Sequence, residues 1–175
     1  MTQGLEIRES LSADLDAIES LYPAAFPDED LLPVVKDLLP DTAVTTSIIG
    51  EIDSQLVGHV IFSKCGVTGS LISASLLAPL AVTPERQGQG IGSALVRAGL
   101  RKLKDNDVRV VCVLGDPAFY GRLGFRSGSS IEPPFRLPAE YEGAWQSQTL
   151  SDSEEEYSGK LSVPEQWQQR SLWMP

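Results

Sequence analysis

Leu76-Leu77-Ala78-Pro79-Leu80-Ala81-Val82-Thr83-Pro84-Glu85-Arg86-Gln87-Gly88-Gln89-Gly90-Ile91-Gly92 is the stretch from which the rest of the chain can be read. An almost wholly apolar run of strand length ends at a Thr-Pro turn, three alternating glycines follow, and a helical pattern begins. The order is therefore buried strand, anion-cradling loop, helix. Glycines let main-chain N–H groups turn inward and approach an oxygen closely, and the helix start adds unpaired donors and the positive end of its dipole. The loop predicts a phosphorylated ligand. A dinucleotide loop would read G-x-G-x-x-G, and a P-loop would end in Gly-Lys-Ser/Thr. Neither is present.

Working outward, the helix is expected from Gly88 to about Lys104, with Ile91, Leu95, Ala98 and Leu103 toward a sheet and Asp105-Asn106-Asp107 stopping it. Arg109–Leu114 reads as a strand buried on both faces and parallel to its predecessor, because a crossover helix joins them. Then Asp116 caps and Pro117 starts a short helix carrying Phe119 and Tyr120, which Gly124 ends. Upstream, Leu5–Glu9 alternates as a short strand. Ser12 is the expected N-cap of a helix bearing Leu15, Ile18, Leu21 and Tyr22 and ending near Pro23, and a second helix is expected over Glu29–Leu38. Val44–Ile52 and Gln55–Cys65 form a hairpin around Asp53-Ser54, and a further strand begins near Leu71. Beyond Ser127, Ile131–Pro138 is irregular. Tyr141 and Trp145 are a lid or outer core, Glu154-Glu155-Glu156 an acidic loop and Lys160–Pro164 a last strand, with Trp167 and Trp173 packing at the end.

Gln87-x-x-Gly90-x-Gly92 after a strand ending in Val82 resembles the pyrophosphate loop of the GNAT superfamily of acyl-coenzyme A dependent N-acetyltransferases. Phe119-Tyr120-Gly121-Arg122-Leu123-Gly124-Phe125 resembles a second element of that family, and Leu80-Ala81-Val82-Thr83-Pro84 with Leu114-Gly115-Asp116-Pro117 looks most like its YhbS-like branch. The specific part covers about residues 55–127. The resemblance implies an α/β (α+β) GNAT fold over a single domain, residues 1–175. Its central mixed, mostly antiparallel sheet is flanked by helices and splayed between strands 4 and 5, and residues 128–175 complete the sheet and the acceptor side. Pro79 cannot donate a ladder bond, which suits a strand that parts from its neighbour there. The implied cosubstrate is acetyl-coenzyme A (acetyl-CoA), without a metal, and the implied reaction is direct attack by a primary amine in a ternary complex.

Residue by residue, the same resemblance implies that Leu80, Ala81 and Val82 lie along the pantetheine arm, with the Leu80 N–H on the thioester carbonyl. Gln87, Gly88, Gln89, Gly90, Ile91 and Gly92 hold the diphosphate, and Tyr120 supplies a proton to the leaving thiolate. Asp28, Glu29 and Asp30, between the first two helices, are acceptor-side candidates that read equally as a helix cap with acids in its first turn. His59, the only histidine, is a candidate base or a packed ring. The glutamate that several GNAT enzymes carry four residues before the carbonyl-binding position is Leu76 here. Proton removal then falls to water, Glu51, His59, Ser73 or Ser75, or the amine arrives neutral. That gap is the argument for the rival reading, a non-catalytic acyl-CoA-binding sensor; an unrelated nucleotide-binding α/β domain is a third.

The formal charge of −10 argues against nucleic acid. From Pro84 to Lys104, five basic residues (Arg86, Arg97, Arg101, Lys102, Lys104) stand against Glu85, leaving +4 there and −14 elsewhere. A basic island suits an anionic cofactor and the acidic remainder a cationic amine, small or peptidic; the island reads equally as a solvated helix face. No run approaches membrane length and the first residues lack a leader pattern, so the cytoplasm is expected, with a homodimer possible. Cys65 and Cys112 lie in apolar strand patterns without CxxC spacing and read as core thiols.

Overall fold

The computed structural model describes residues 3–152 and 155–174, so Glu154 of the expected acidic loop lies outside the described residues. The chain forms two compact units, one from residues up to Phe62 together with Pro79–Gly99, the other from Ser63–Ala78 together with the residues from Leu100 on.

In the first unit β1 (Glu6–Glu9) pairs antiparallel with β2 (Thr45–Ile52), Ile7 opposite Gly50. Asp53 and Ser54 both take positive φ, 52° and 63°, the twist that a two-residue hairpin needs to enter β3 (Gln55–Val67). The end of β4 (Ala74–Val82) joins this sheet, and just beyond it the Thr83 N–H donates to the Val57 carbonyl at 2.8 Å. Helix α1 (Leu15–Ala25) buries Ile18, Leu21 and Tyr22. It passes through Pro23 rather than ending there: a proline late in a helix forfeits one ladder bond, and the Phe26 N–H still reaches the Tyr22 carbonyl at 2.8 Å. Ser12 does not cap it either. A 3₁₀ turn over Ser12–Asp14 precedes the helix, and the Asp14 carboxylate takes the Leu11 N–H at 2.6 Å. Helix α2 starts at Leu32 instead of Glu29 and runs to Leu38, with Pro33 in its first turn.

Helix α3 (Ile91–Asp105) lies close against β3 in this unit because glycines remove the intervening Cβ atoms. A Cβ on Gly58 would stand 2.8 Å from Leu95 Cδ1, and one on Gly99 would overlap the buried ring of Phe62. The buried stripe runs through Ile91, Leu95, Val96, Gly99, Leu100 and Leu103, while Ala98 sits at its half-buried margin. Gly99→Val should lower unfolding free energy by about 2 kcal/mol or more, since overpacking a closed contact costs roughly 1–3 kcal/mol and valine brings little helix propensity. Urea unfolding measures it; an unchanged midpoint would mean that the helix is not seated on Phe62.

In the second unit β5 (Val110–Leu114) pairs parallel with β4 at Ala74, Ser75 and Leu76, and antiparallel with β8 (Trp145–Thr149) along its whole length. Strand β6 (Arg126–Ser127) adds to β8, β9 (Gly159–Ser162) adds to β3 at Gly66 and Val67, and β7 (Ile131–Glu132) runs parallel to β9. The sheet is thus mixed, as expected. Helix α4 (Pro117–Tyr120) follows β5. Strand β4 begins at Ala74 rather than Leu71, whose side chain is fully exposed. Trp145 is core rather than lid. It packs edge-on to Trp173, which packs edge-on to Trp167, and each indole N–H finds an acceptor: Ile131 O, Trp167 O and Ser63 Oγ respectively. Cys65 and Cys112 are buried free thiols; burial pushes Cys65 up to about 12 and raises Cys112 as well, so neither is a nucleophile at neutral pH. Among the described residues no helix is long and apolar enough to cross a membrane.

Candidate functional site

Strand β4 changes character at Ala78. Ala74–Leu77 are all buried, whereas Ala78, Leu80 and Val82 are half-buried and alternate with buried Pro79 and Ala81. Pairing with β5 covers Ala74–Leu76, so it has stopped three residues before Pro79, which has no N–H to give. Beyond Val82 a 3₁₀ turn over Pro84–Arg86 leads to an extended Gln87. The Gln87 side chain folds back, its Nε2 donating to the Val82 carbonyl at 3.0 Å. It braces the loop against its strand.

Gly88 and Gly90 adopt φ of 77° and 86°, and a Cβ at either would point into open space. Their requirement is conformational: the left-handed backbone at these two positions strains any L side chain. The Gly90 carbonyl accepts the Ala94 N–H at 3.1 Å, which opens α3 and leaves the N–H groups of its first turn without intrahelical partners. The loop therefore leads into the positive end of a 15-residue helix, whose unpaired first-turn donors suit an anion. In the second unit, Lys104 at the end of α3 stands 3.2 Å from Asp152, as the solvated-face reading of the distal basic residues has it.

Also in the second unit, Asp116 caps α4 by accepting the Ala118 N–H at 2.9 Å, Pro117 fills the first helical position, and Gly124 at φ 99° ends the segment. Tyr120 is nearly buried, edge-on to Phe119 at 4.8 Å and Phe125 at 5.7 Å, and burial raises its phenol above the ordinary value. The phenol is a proton holder at any physiological pH. A Cβ on Gly115 would overlap the Tyr120 ring, and Gly115 is itself pinned, its N–H on Ala144 O at 3.0 Å and its carbonyl taking Gln146 Nε2 at 3.1 Å. Sequence reasoning used Gly115 only as part of the Leu114–Pro117 segment, without its place under Tyr120, and passed over the buried Gln146. The glycine before Asp116 was a usable signal, but a lone glutamine in an unrecognised strand was not.

Three of the candidate bases, Glu51, Ser75 and His59, have their side chains engaged. Glu51 accepts Arg8 Nε at 2.8 Å while the same guanidinium forks onto Asp14, holding the Asp14 carboxyl below its usual range. Ser75 Oγ donates to the Ser63 carbonyl at 3.1 Å. Ser73, half-buried just before β4, gives its carbonyl to the Arg109 N–H at 2.8 Å and has its hydroxyl left for other use. Leu76 is buried. His59 is also fully buried, Nδ1 at 2.7 Å from the Tyr22 hydroxyl and Nε2 at 2.7 Å from Ser47 Oγ, and desolvation pulls it down to about 3. Asp28, Glu29 and Asp30 are exposed in the turn before α2, whose first turn carries no acid, so the helix-cap explanation for them fails. Among the described residues no cluster of histidine, cysteine or carboxylate side chains is arranged to hold a metal.

The buried imidazole makes a pH prediction. Its value is near 6.5 in the unfolded chain and about 3 when folded, so the unfolded state binds the extra proton between those limits and stability falls as pH drops through that window. By pH 4.5 the loss from this group should be about 2–3 kcal/mol. Urea titrations of the wild type and His59→Gln at pH 7 and 4.5 check it. The variant should lose this part of the pH dependence, and identical slopes in the two proteins would refute the assignment.

A family model described as an acetyltransferase (GNAT) domain matches residues 45–127. The uncharacterized N-acetyltransferase YjhQ of Escherichia coli K12 is 32% identical over 146 residues, 79% of this chain and 81% of that protein. The uncharacterized N-acetyltransferase YhbS of the same strain is 33% identical over 147 residues, 83% and 87% of the two chains. The crystal structure of Escherichia coli YhbS in complex with CoA superposes with a TM-score of 0.85 at 29% identity over 97% of this chain and 94% of that one. A GNAT family acetyltransferase from Brucella melitensis in complex with acetyl-CoA gives 0.77 at 26% identity, over 95% and 99%.

Proposed function

Since the chain belongs to the GNAT acetyltransferases, we propose that it transfers the acetyl group of acetyl-CoA to a primary amine by direct attack in a ternary complex. The observation that carries this reading is the loop of Gly88 and Gly90 at the start of α3, set at the end of a strand whose pairing with β5 stops before Pro79. The main-chain N–H groups from Gln87 to Gly92 take the diphosphate, and Ala81 and Val82 run beside the pantetheine arm. Anchoring the cofactor turns a two-body encounter into a positioned one.

The Leu80 N–H stabilises the oxyanion as the amine adds to the thioester carbonyl; donors so placed are worth roughly 10²- to 10³-fold in rate. The C–S bond then breaks, and the Tyr120 phenol meets the leaving thiolate. Because burial raises the phenol, complete proton transfer to a thiolate is uphill, and hydrogen-bond stabilisation of the developing charge is its larger contribution. With Glu51 tied to Arg8, Ser75 to a carbonyl and His59 buried, the amine's proton leaves through water or is shed before attack, which desolvation of the amine favours. Asp28 and Glu29, exposed in an acidic chain, steer a cationic acceptor, small or peptidic.

The test is release of free coenzyme A thiol across an amine panel, run beside acetyl-CoA calorimetry. Amine-dependent thiol release supports turnover. Saturable binding with no release for any amine would leave the binding-only sensor, a reading that Leu76 in place of a carboxylate favours.

A further inference from the structure

We propose that the first unit carries a second ligand site, separate from acetyl transfer, that binds a small carboxylic acid with an apolar body. The site is a cavity of about 670 Å³ where the end of β1, the start of α1, the end of α2 and the start of β2 meet. That volume lies within the roughly 300–1,000 Å³ of small-molecule sites. Leu11, Leu15, Ile18 and Leu39 form its apolar wall. Leu11 and Leu15 are 64% and 38% exposed, two of the four large apolar side chains left exposed among the described residues, and both face this one cavity. An apolar ligand would return that surface to a dry contact.

The polar side is set by hydrogen-bond accounting. Among the described residues His59 Nδ1 is the one hydrogen-bond partner of the buried Tyr22 hydroxyl, so the phenol is assigned as donor and Nδ1 as acceptor. The proton of the neutral imidazole then sits on Nε2 and is donated to Ser47 Oγ, 2.7 Å away. Ser10 Oγ and Ser47 Oγ are also 2.7 Å apart. Their two hydroxyl hydrogens serve one bond between them, because the imidazole has taken an acceptor position. One hydrogen remains, and both serines line the cavity. Lys36 lines it as well; its ammonium pairs with Glu19 at a long, solvated 3.7 Å and can turn to a ligand at small cost. Glu9, on the same lining, is exposed and screened by solvent. A hydroxyl donor and an ammonium beside a leucine-rich wall select a carboxylate on an apolar body.

Calorimetric titration of the full chain with octanoate, 1-octanol and octylammonium tests this. Octanoate should bind saturably at one site, about tenfold more tightly than octanol, since a hydrogen bond to a charged group is worth about that factor. Octylammonium should be weaker still. Lys36→Met should reduce octanoate to the affinity of octanol, and Leu15→Trp, which fills the cavity from a partly exposed position, should abolish binding of both while circular dichroism shows an intact fold. No saturable octanoate binding, octylammonium binding as tight as octanoate, or octanoate affinity unchanged in either variant would overturn the proposal. Acetyl-CoA titration of the same variants keeps the two sites distinguishable: its affinity should stay at the wild-type value.

Discussion

Gly90→Glu is expected to weaken acetyl-CoA binding by two to three orders of magnitude while leaving thermal stability nearly unchanged. Two effects add. At φ 86° any L side chain is strained by about 1–2 kcal/mol, which the loop relieves by turning its N–H groups aside. The new carboxylate also stands in the open space beside the helix start, where a diphosphate would sit, and like charges at a few ångströms cost a further few kcal/mol near a protein surface. Together that is about 3–4 kcal/mol, or roughly 10²- to 10³-fold. Gly90→Ala separates the contributions, because it carries only the strain and should cost about tenfold. Calorimetry with acetyl-CoA reads both variants, and a Gly90→Glu protein that binds like the wild type would remove the loop from the cofactor site.

Tyr120→Phe is expected to lower kcat by about 10²-fold with little change in KM for acetyl-CoA, the range for a single positioned acid being 10²- to 10⁴-fold. The ring contacts with Phe119 and Phe125 survive the substitution, so the fold should persist and the loss should appear in the step that develops charge on sulfur. Steady-state thiol release measures it. Unchanged kcat would make Tyr120 a core aromatic. Because Gly115 passes directly under the Tyr120 ring, Gly115→Ala should shift kcat in the same direction, and combining the two changes should cost less than the product of their separate effects.

The organising strand, loop and helix were legible because glycine and proline report backbone directly. The alternating glycines announce a loop before the helix, and Gly88 and Gly90 stand there at positive φ, while Pro79 stands beyond the last rung shared with β5. The Asp116-Pro117 helix start and its Gly124 stop were legible for the same reason. Local signals failed where tertiary packing decided. Pro23 sits inside α1 because burial of Tyr22 and its bond to Phe26 outweigh one missing ladder bond. Strands β6 and β7 are two residues each and exist only because β8 and β9 offer them edges, so no periodicity could announce them. His59 reads the same in sequence whether it is a base or a packed ring. Only the chain Tyr22–His59–Ser47–Ser10, which joins α1, β3, β2 and the residue after β1, settles its surroundings. The same limit hid the cavity that Ser10 and Ser47 line.

The central claim, that main-chain amides at the start of α3 hold the cofactor's diphosphate, is tested most directly by a crystal structure of the chain with coenzyme A. The account predicts diphosphate oxygens within hydrogen-bonding distance of N–H groups between Gln87 and Gly92, with the pantetheine arm beside Leu80–Val82. A diphosphate bound elsewhere, with that loop facing solvent, would contradict it.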